Sequence, residues 1–181
     1  MRIIAGKHKG LVLNEFDVDN IRPTIDRVRE SIFNKIQFEV AGSYVLDLFC
    51  GTGAVSLEFL SRGASRVVSI DNNRDSISIT NKNFKKAKEK GEIFLKDFLL
   101  AINDLSGSKF DFIFLDPPYN TNYGEVAIER ILTRNLLQED GLIIYEHLIG
   151  KQFNLPKELE IVDERKFGTV VVTYIKRRVY D

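Results

Sequence analysis

The sequence contains little cysteine and little histidine, and it has no long apolar run. Its single cysteine, Cys50, excludes an internal disulfide and fits a reducing compartment. No apolar stretch approaches the roughly 18 residues that a membrane span needs, and residues 1–7 lack the apolar core of a signal peptide. Neither histidine, His8 or His147, has neighbours with metal-ligand spacing. We therefore expect a cytoplasmic, monomeric protein with no metal site and no membrane attachment.

Net charge is also absent, because 26 Lys and Arg balance 26 Asp and Glu. Overall charge therefore gives no tendency toward nucleic acid, although local basic patches can still bind phosphates. Residues 1–10 carry three basic side chains and no acid, and residues 82–90 carry five lysines against Glu89. The second group is equally typical of a solvated surface.

The residues that are present predict one globular unit with a small appendage. The chain has 181 residues, of which 44% are hydrophobic and 29% charged. A basic, glycine-bounded turn at residues 6–10 predicts a β-hairpin. A helix follows Pro23, and its predicted buried face is Val28, Ile32, Phe33 and Ile36. We divide the chain into an N-terminal extension, residues 1–40, and a main domain, residues 41–181.

Beyond residue 40, apolar strand patterns alternate with helical ones. Strands are predicted at residues 44–49, 66–70, 92–96, 110–115 and 141–145, and helices at 54–61, 72–88 and 123–137. The tail predicts an antiparallel pair at residues 159–162 and 169–175. This alternation indicates an α/β fold with a mostly parallel, seven-stranded sheet and helices on both faces.

An acidic residue stands at the end of each predicted parallel strand. The carboxyl ends of parallel strands meet at one edge of the sheet, and ligands bind there. We therefore expect these five side chains to lie along one edge: Asp47, Asp71, Asp97, Asp116 and Glu146.

Gly51 and Gly53 separate the first strand from its helix, as in loops that hold phosphates or nucleosides. Asp71 lies 20 residues beyond Gly51, an offset that suits an acid on ribose hydroxyls. The glycine loop by itself leaves an NAD-dependent dehydrogenase possible, although Ser56 stands where a dinucleotide fingerprint has Gly or Ala. However, Asp47 would repel a pyrophosphate and attract a cationic ammonium or sulfonium. Alternatively, Asp47 accepts hydrogen bonds from loop N–H groups.

The sequence Asp116-Pro117-Pro118-Tyr119 ends the most apolar of the predicted strands. Neither proline can donate to a strand ladder, so the two prolines stiffen a loop that carries a carboxylate, carbonyl groups and an aromatic ring. Such a loop suits a flat, amino-bearing ring, because the acceptors take its N–H groups and the aromatic ring covers its face. The alternative is a rigid turn with an N-capping Asp and a packing Tyr.

Several of these motifs resemble known ones. Residues 45–53 resemble the cofactor motif of Rossmann-like S-adenosylmethionine methyltransferases, and residues 116–119 resemble the motif of those that methylate exocyclic amines of nucleobases. Four further blocks, residues 1–7, 22–30, 60–64 and 167–169, resemble the RsmD family, whose members methylate the N2 of a guanine in 16S-type ribosomal RNA. Cys50 and Asp71 depart from this pattern, since Ala and Glu are commoner there.

The resemblance implies S-adenosylmethionine as the cofactor. Its amino-acid end would lie against Asp47, Gly51 and Gly53, and its ribose against Asp71. Asp97 would accept from the adenine amino group, with Phe98 beside it.

For the substrate, the resemblance implies ribosomal RNA, either naked or within a small ribosomal subunit. Asp116 and the Pro117 carbonyl would hold the target amine, and Tyr119 would stack on the base. We expect the N-terminal extension to face the RNA, with a basic rim around the target pocket formed by Lys7, Lys9, Arg22, Arg27 and Arg29. Three alternatives stay open: an adenine-N6 or cytosine-N4 methyltransferase on DNA or RNA, the dehydrogenase, and a non-catalytic RNA-binding assembly factor.

Overall fold

The computed structural model describes residues 1–17 and 23–180, in which helices and strands alternate. The helices are α1 (Pro23–Ile36), α2 (Ala54–Ser61), α3 (Arg74–Ala87), α4 (Phe98–Asp104) and α5 (Tyr123–Thr133). The strands are β1 (Tyr44–Asp47), β2 (Arg66–Asp71), β3 (Glu92–Leu95), β4 (Phe110–Leu115), β5 (Leu137–Leu148), β6 (Leu159–Phe167) and β7 (Val170–Arg177). Within those described ranges, every helix is too short or too polar to cross a membrane.

The strands form one seven-stranded sheet in the order β3-β2-β1-β4-β5-β7-β6. The first five strands pair in parallel. The last two form an antiparallel hairpin that joins the sheet beside β5. The strand order reverses between β1 and β4, so the crevice at their carboxyl ends is where this type of sheet binds ligands. The predicted α/β fold with a mostly parallel sheet is confirmed.

Helices cover both faces of the sheet. On one face, α4 and α5 bury Ile102 and Ile128 against the strands. On the other face, α1 packs against β1 and β4, and all four residues of its predicted stripe are buried: Val28, Ile32, Phe33 and Ile36. The extension therefore shares a hydrophobic cluster with the sheet, while the domain boundary at residues 40 and 41 stays a prediction.

Residues 1–13 form the predicted hairpin, which lies along α2 and α3. An antiparallel bridge pairs Arg2 with Val12, and the Ile3 N–H donates to the Leu11 carbonyl at 3.0 Å. Ile3 and Leu13 are buried in one cluster with Leu57 and Phe84, from α2 and α3. The hairpin is therefore anchored by its apolar side chains rather than by a long strand ladder.

Several elements differ from the sequence prediction, among them β6, which runs to Phe167 rather than to residue 162. The short helix α4 was not expected, because residues 98–102 form an unbroken apolar run without helical periodicity. Helix α5 ends at Thr133 rather than at residue 137, since Asn135 adopts a left-handed conformation (φ 58°) and stops the helix. The chain then enters β5, which is longer than predicted because Leu137 already pairs with Phe110 of β4.

Candidate active site

Two adjoining cavities open at the carboxyl ends of the parallel strands. The first, about 280 Å³, is lined by Arg29, Asp47 and Glu146 and is called the Asp47 cavity here. The second, about 350 Å³, is lined by Asp71 and Phe98 and is called the Asp71 cavity. Four residues line both cavities, so the two form one continuous cleft: Phe49, Gly51, Asp116 and Tyr119. The predicted meeting of strand-end acids at one edge is therefore seen for Asp47, Asp71, Asp116 and Glu146.

Asp47 lies at the end of β1 and is only 1% exposed. Its Oδ2 accepts a hydrogen bond from the Ser56 hydroxyl at 2.7 Å, and the Ser56 and Ser69 hydroxyl oxygens are also 2.7 Å apart. Its Oδ1 has no hydrogen-bond partner among the described residues. Burial, assisted by the charges of Asp116 and Asp71, raises the pKa of Asp47 to about 7, although the Ser56 hydrogen bond opposes this. A cation in the cleft would supply the charge and the donor that this carboxylate lacks.

The glycine loop between β1 and α2 is held in place by α3. The Gly51 carbonyl accepts from the Thr80 hydroxyl at 2.8 Å, and the Thr52 carbonyl accepts from the Asn83 amide at 2.8 Å. Gly53 has φ 80°, and a Cβ there would lie 2.9 Å from Thr80 Cγ2. Glycine is therefore required at residue 53 by both backbone conformation and close packing. The sequence analysis missed Thr80 and Asn83, whose signal is two fully buried polar residues three positions apart on a helix.

Asp71 supports the same loop from the end of β2. Its Oδ2 accepts from the Gly51 N–H at 3.0 Å, and its Oδ1 accepts from the Asn73 N–H at 3.0 Å. The side chain also lines the Asp71 cavity. Asp71 therefore couples the position of the glycine loop to whatever binds in this cavity.

Phe98 forms an aromatic wall of the Asp71 cavity, whereas Asp97 lies outside the cavity lining. The Phe98 ring is buried, with its centroid 5.2 Å from that of Phe49 and 5.1 Å from that of Tyr123. Asp97 caps α4, and its Oδ1 accepts from the Leu99 N–H at 2.9 Å. Capping occupies one carboxylate oxygen, so a role for Asp97 toward adenine stays a prediction.

The loop of residues 116–119 follows β4 directly, as predicted. Asp116 faces both cavities, Pro117 is buried in the wall of the Asp71 cavity, and Tyr119 is 36% exposed at the mouth of the cleft. The Pro118 carbonyl accepts from the Thr121 hydroxyl at 2.7 Å, which closes the turn. The loop is therefore a rigid element, and it also presents its carboxylate and aromatic ring to the cleft.

Glu146, at the end region of β5, completes the acidic part of the site. Burial raises its pKa to about 7, against the effect of a hydrogen bond with the Tyr119 side chain. Burial, together with the charge of Glu146, also raises the pKa of Asp116. The sequence placed Glu146 at the sheet edge but assigned it no role, because its partnership with Asp116 and Tyr119 depends on neighbouring strands.

The described residues of the predicted basic rim do not lie together, since Arg29 lines the Asp47 cavity and the two lysines lie elsewhere. Lys7 and Lys9 sit at the hairpin tip beside the end of α3, and neither lines the two cavities. Arg29 is only 5% exposed, and its Nη2 donates to the Arg2 carbonyl at 2.5 Å. Arg27 is exposed on α1, and Arg22 lies outside the described residues. The rim is therefore not a single surface, because the hairpin runs away from the cleft and α1 turns Arg29 inward.

The strand order, the glycine loop after β1 and the Asp-Pro-Pro-Tyr loop after β4 together define the class of protein. It is a methyltransferase with a Rossmann-like fold. The family model described as Conserved hypothetical protein 95 matches residues 1–176, and the chain belongs to this family. The expected resemblance to the RsmD family is thereby confirmed.

Three known proteins illustrate the similarity. Ribosomal RNA small subunit methyltransferase D of Haemophilus influenzae is 32% identical, over 94% of this chain and 90% of its own length. The protein YlbH of Bacillus subtilis is 33% identical, over 98% of this chain and all of its own. The solved structure of yhhF from Escherichia coli superposes with a TM-score of 0.87 at 28% identity and covers 99% of both chains.

Proposed function

We propose that this protein transfers a methyl group from S-adenosylmethionine to the exocyclic N2 amine of a guanine in small-subunit ribosomal RNA. The observation that carries the proposal is that Asp116 and the partnerless oxygen of Asp47 line one cleft. A site for a cation therefore adjoins a site for an amine. The name of the Haemophilus relative supports the RNA substrate.

The cleft fits the proposed cofactor. Asp47 is suited to the ammonium or sulfonium group, since its Oδ1 is buried without a partner. Asp71 and Gly51 are suited to the ribose in the adjoining cavity, with Phe98 against the adenine ring and Asp97 at the start of α4. When bound, the cofactor supplies a methyl group activated by its positively charged sulfur.

The target amine would be held by acceptors of the 116–119 loop. The lone pair of a guanine N2 amine is delocalised into the ring, which makes the amine a poor nucleophile. The Asp116 carboxylate and the Pro117 carbonyl can accept its two N–H groups and so direct the lone pair toward the methyl carbon. Positioning and electrostatic stabilisation provide most of the rate effect in such a site. Tyr119 would stack on the base, and its hydrogen bond with Glu146 orients the ring.

The base identity is the finest part of the proposal. Adenine-N6 and cytosine-N4 methyltransferases use an Asp-Pro-Pro-Tyr loop as well, so the geometry alone favours an exocyclic amine of any of these bases. The N-terminal block shared with the family favours guanine. Residues 1–40 would then serve as the RNA-facing extension and residues 41–181 as the catalytic domain, acting as a cytoplasmic monomer.

Nucleoside analysis tests the proposal directly. Small ribosomal subunits and naked ribosomal RNA from cells that lack this protein are incubated with the enzyme and isotopically labelled S-adenosylmethionine, digested and analysed by mass spectrometry. The expected product is labelled N2-methylguanosine, and Asp116→Ala should abolish it while cofactor binding, measured by calorimetry, is retained. Labelled N6-methyladenosine or N4-methylcytidine would refute the guanine assignment. Binding of NAD instead of S-adenosylmethionine would refute the methyltransferase.

A further inference from the structure

Six exposed lysines gather at the end of the molecule where α3 stops. Five belong to the last turns of α3 and the residues after it, and one comes from the hairpin tip. They are called the lysine face here: Lys9, Lys82, Lys85, Lys86, Lys88 and Lys90. Lys9, Lys86 and Lys88 line one open groove between hairpin and helix, so residues 77 positions apart in sequence, such as Lys9 and Lys86, meet in one surface.

The hairpin tip is attached to this surface by specific contacts. Glu89 forms an ion pair with Lys7 at 2.7 Å and a hydrogen bond with the His8 ring at 2.8 Å. The Lys7 N–H donates to the Ser61 carbonyl at 2.9 Å, at the end of α2, and the His8 N–H donates to the Ser61 hydroxyl at 2.9 Å. Glu89, which is the one acid of residues 82–90, is therefore engaged with the tip and leaves the charges of the lysine face uncompensated.

Several cations elsewhere on the molecule form ion pairs. Lys35 pairs with Asp163, Arg66 with Glu92 and Lys151 with Glu125, for example. Among residues 1–17 and 23–180, by contrast, none of the six side chains of the lysine face forms an ion pair. Because the whole chain has zero net charge, this face is balanced by an excess of acid elsewhere, and the molecule is electrostatically polarised.

The lysine face is remote from the target pocket. Helix α3 begins at Arg74, just after Asp71 of the cleft, and has 14 residues. At 1.5 Å per residue, its far end lies about 21 Å along the helix axis from the end that adjoins Asp71. A single base inserted beside Asp116 therefore cannot also contact this surface.

We propose that the lysine face, which lies outside the lining of the target pocket, binds the phosphate backbone of a second segment of the RNA. The inference rests on the proposed function for its partner, and it changes what the enzyme recognises. The cleft binds one base, whereas the lysine face binds RNA backbone at a fixed distance from that cleft. A structured ribosomal RNA satisfies both contacts, and a short oligonucleotide satisfies only the first.

The test compares two triple variants that remove charge without reversing it. The first, Lys9→Gln with Lys86→Gln and Lys88→Gln, neutralises the groove but keeps Lys7 and its ion pair with Glu89. The matched control, Arg134→Gln with Lys157→Gln and Lys166→Gln, neutralises three exposed cations away from the face. Thermal unfolding and calorimetry with S-adenosylhomocysteine verify that both variants fold and keep the cleft intact.

Affinity for labelled small-subunit ribosomal RNA is measured by fluorescence anisotropy over a range of salt concentrations. The groove variant should bind at least about tenfold more weakly at low salt, and its slope of log Kd against log salt should fall by roughly 2–3, since each lost phosphate contact accounts for about 0.7–0.9. Its KM for ribosomal RNA should rise while kcat at saturating RNA is retained. Activity on a short oligonucleotide should be unchanged.

Three results would overturn the inference. Equal losses in the control variant would mean that charge acts diffusely, and unchanged RNA affinity in the groove variant would mean that the face does not bind RNA. A loss confined to assembled subunits, with naked RNA bound normally, would indicate an acidic protein partner instead. Because anisotropy requires no methyl transfer, a salt-dependent RNA contact in a protein that makes no N2-methylguanosine would count against the proposed function alone.

Discussion

At the scale of one residue, the buried carboxylate of Asp47 lowers the stability of the ligand-free protein. Its carboxyl group has a folded-state pKa of about 7 against an ordinary value of 3.8. The folded protein therefore binds this proton more tightly than the unfolded chain, and stability falls as the pH rises from about 4 to 7. A ligand cation offsets this loss only when it is bound.

Asp47→Asn should therefore stabilise the ligand-free protein at about pH 8, by up to about 4 kcal/mol, and the gain should shrink as the pH falls toward 4. The same change should weaken S-adenosylmethionine binding, because the cation loses its counter-charge. Urea unfolding at several pH values and calorimetry measure the two effects. Asp17→Asn, at an exposed acid, is the control. A variant that is less stable than wild type at pH 8 would show that Asp47 is a structural carboxylate.

The charge of Glu146 should set the pH dependence of turnover. In the proposed function Asp116 is the stronger acceptor for the target amine when it is ionised, so activity at saturating substrates should rise with pH and then level off. Glu146→Gln removes the negative charge that helps to raise the pKa of Asp116, and it keeps an acceptor for Tyr119. The rising limb should consequently move to lower pH, as measured by pH–rate profiles between about pH 5.5 and 8.5. An unmoved limb would mean that Asp116 and Glu146 do not interact during catalysis.

Asp71 should act on the cofactor in two separable ways. Asp71→Ala removes the proposed ribose acceptor and the acceptor of the Gly51 N–H, so cofactor affinity should fall by about 1.5–3 kcal/mol. Asp71→Asn keeps one oxygen for the loop and should lose less. Calorimetric titration of S-adenosylmethionine measures both variants. Wild-type affinity in a folded Asp71→Ala protein would contradict the ribose assignment.

At the scale of elements, the close approach of the hairpin tip to the end of α2 requires a glycine at residue 6. Gly6 has φ +86°, and a Cβ there would lie 1.9 Å from the Ser61 carbonyl oxygen. Gly10 has the same φ, but a Cβ there meets open space. The two glycines therefore separate the cost of backbone strain from the cost of a steric clash with α2.

Gly10→Ala should cost about 1–2 kcal/mol, the penalty of a left-handed alanine. Gly6→Ala should cost more, or should release the tip from α2, because the clash adds to the same strain. Hydrogen exchange at the Lys7 and His8 amides reports the release, and denaturant unfolding reports the stability. Equal effects of the two substitutions would show that the tip is not packed against Ser61.

Helix α3 connects the chemistry of the cleft to the surface around the hairpin. In its middle turns, Thr80 and Asn83 hold the glycine loop, and its last turn presents lysines beside the hairpin tip. Because one rigid helix carries both groups, the distance between the target pocket and the lysine face is fixed. This distance is a property of the element and cannot be read from either group of residues separately.

At the scale of the whole molecule, acidic and basic side chains lie in different regions of the protein. The carboxyl edge of the sheet collects acids with raised pKa values, which suits a cationic cofactor and an amine. The lysine face gathers uncompensated positive charge at the opposite end of α3. The protein therefore has zero net charge but an uneven charge distribution. An RNA could be oriented by its phosphates before a base enters the cleft.

The sequence by itself determined the main elements and the edge that carries the site. Strand periodicity located β1, β2 and β4, and the acid after each parallel strand must reach the same edge because parallel strands share a direction. The two glycines and the Asp-Pro-Pro-Tyr loop were equally predictable, since their backbone requirements are local. The antiparallel pairing of the tail was also predicted from its two apolar segments, at residues 159–162 and 169–175.

Only the tertiary structure decided which distant segments meet. It turned Arg29 inward to the Arg2 carbonyl, placed Lys9 beside Lys86 instead of Asp116, and joined Glu146 to Tyr119. It also left one oxygen of Asp47 without a partner among the described residues. The physical reason is that periodicity reports which face of an element is apolar, whereas the partner of that face depends on the packing of every other element against the sheet.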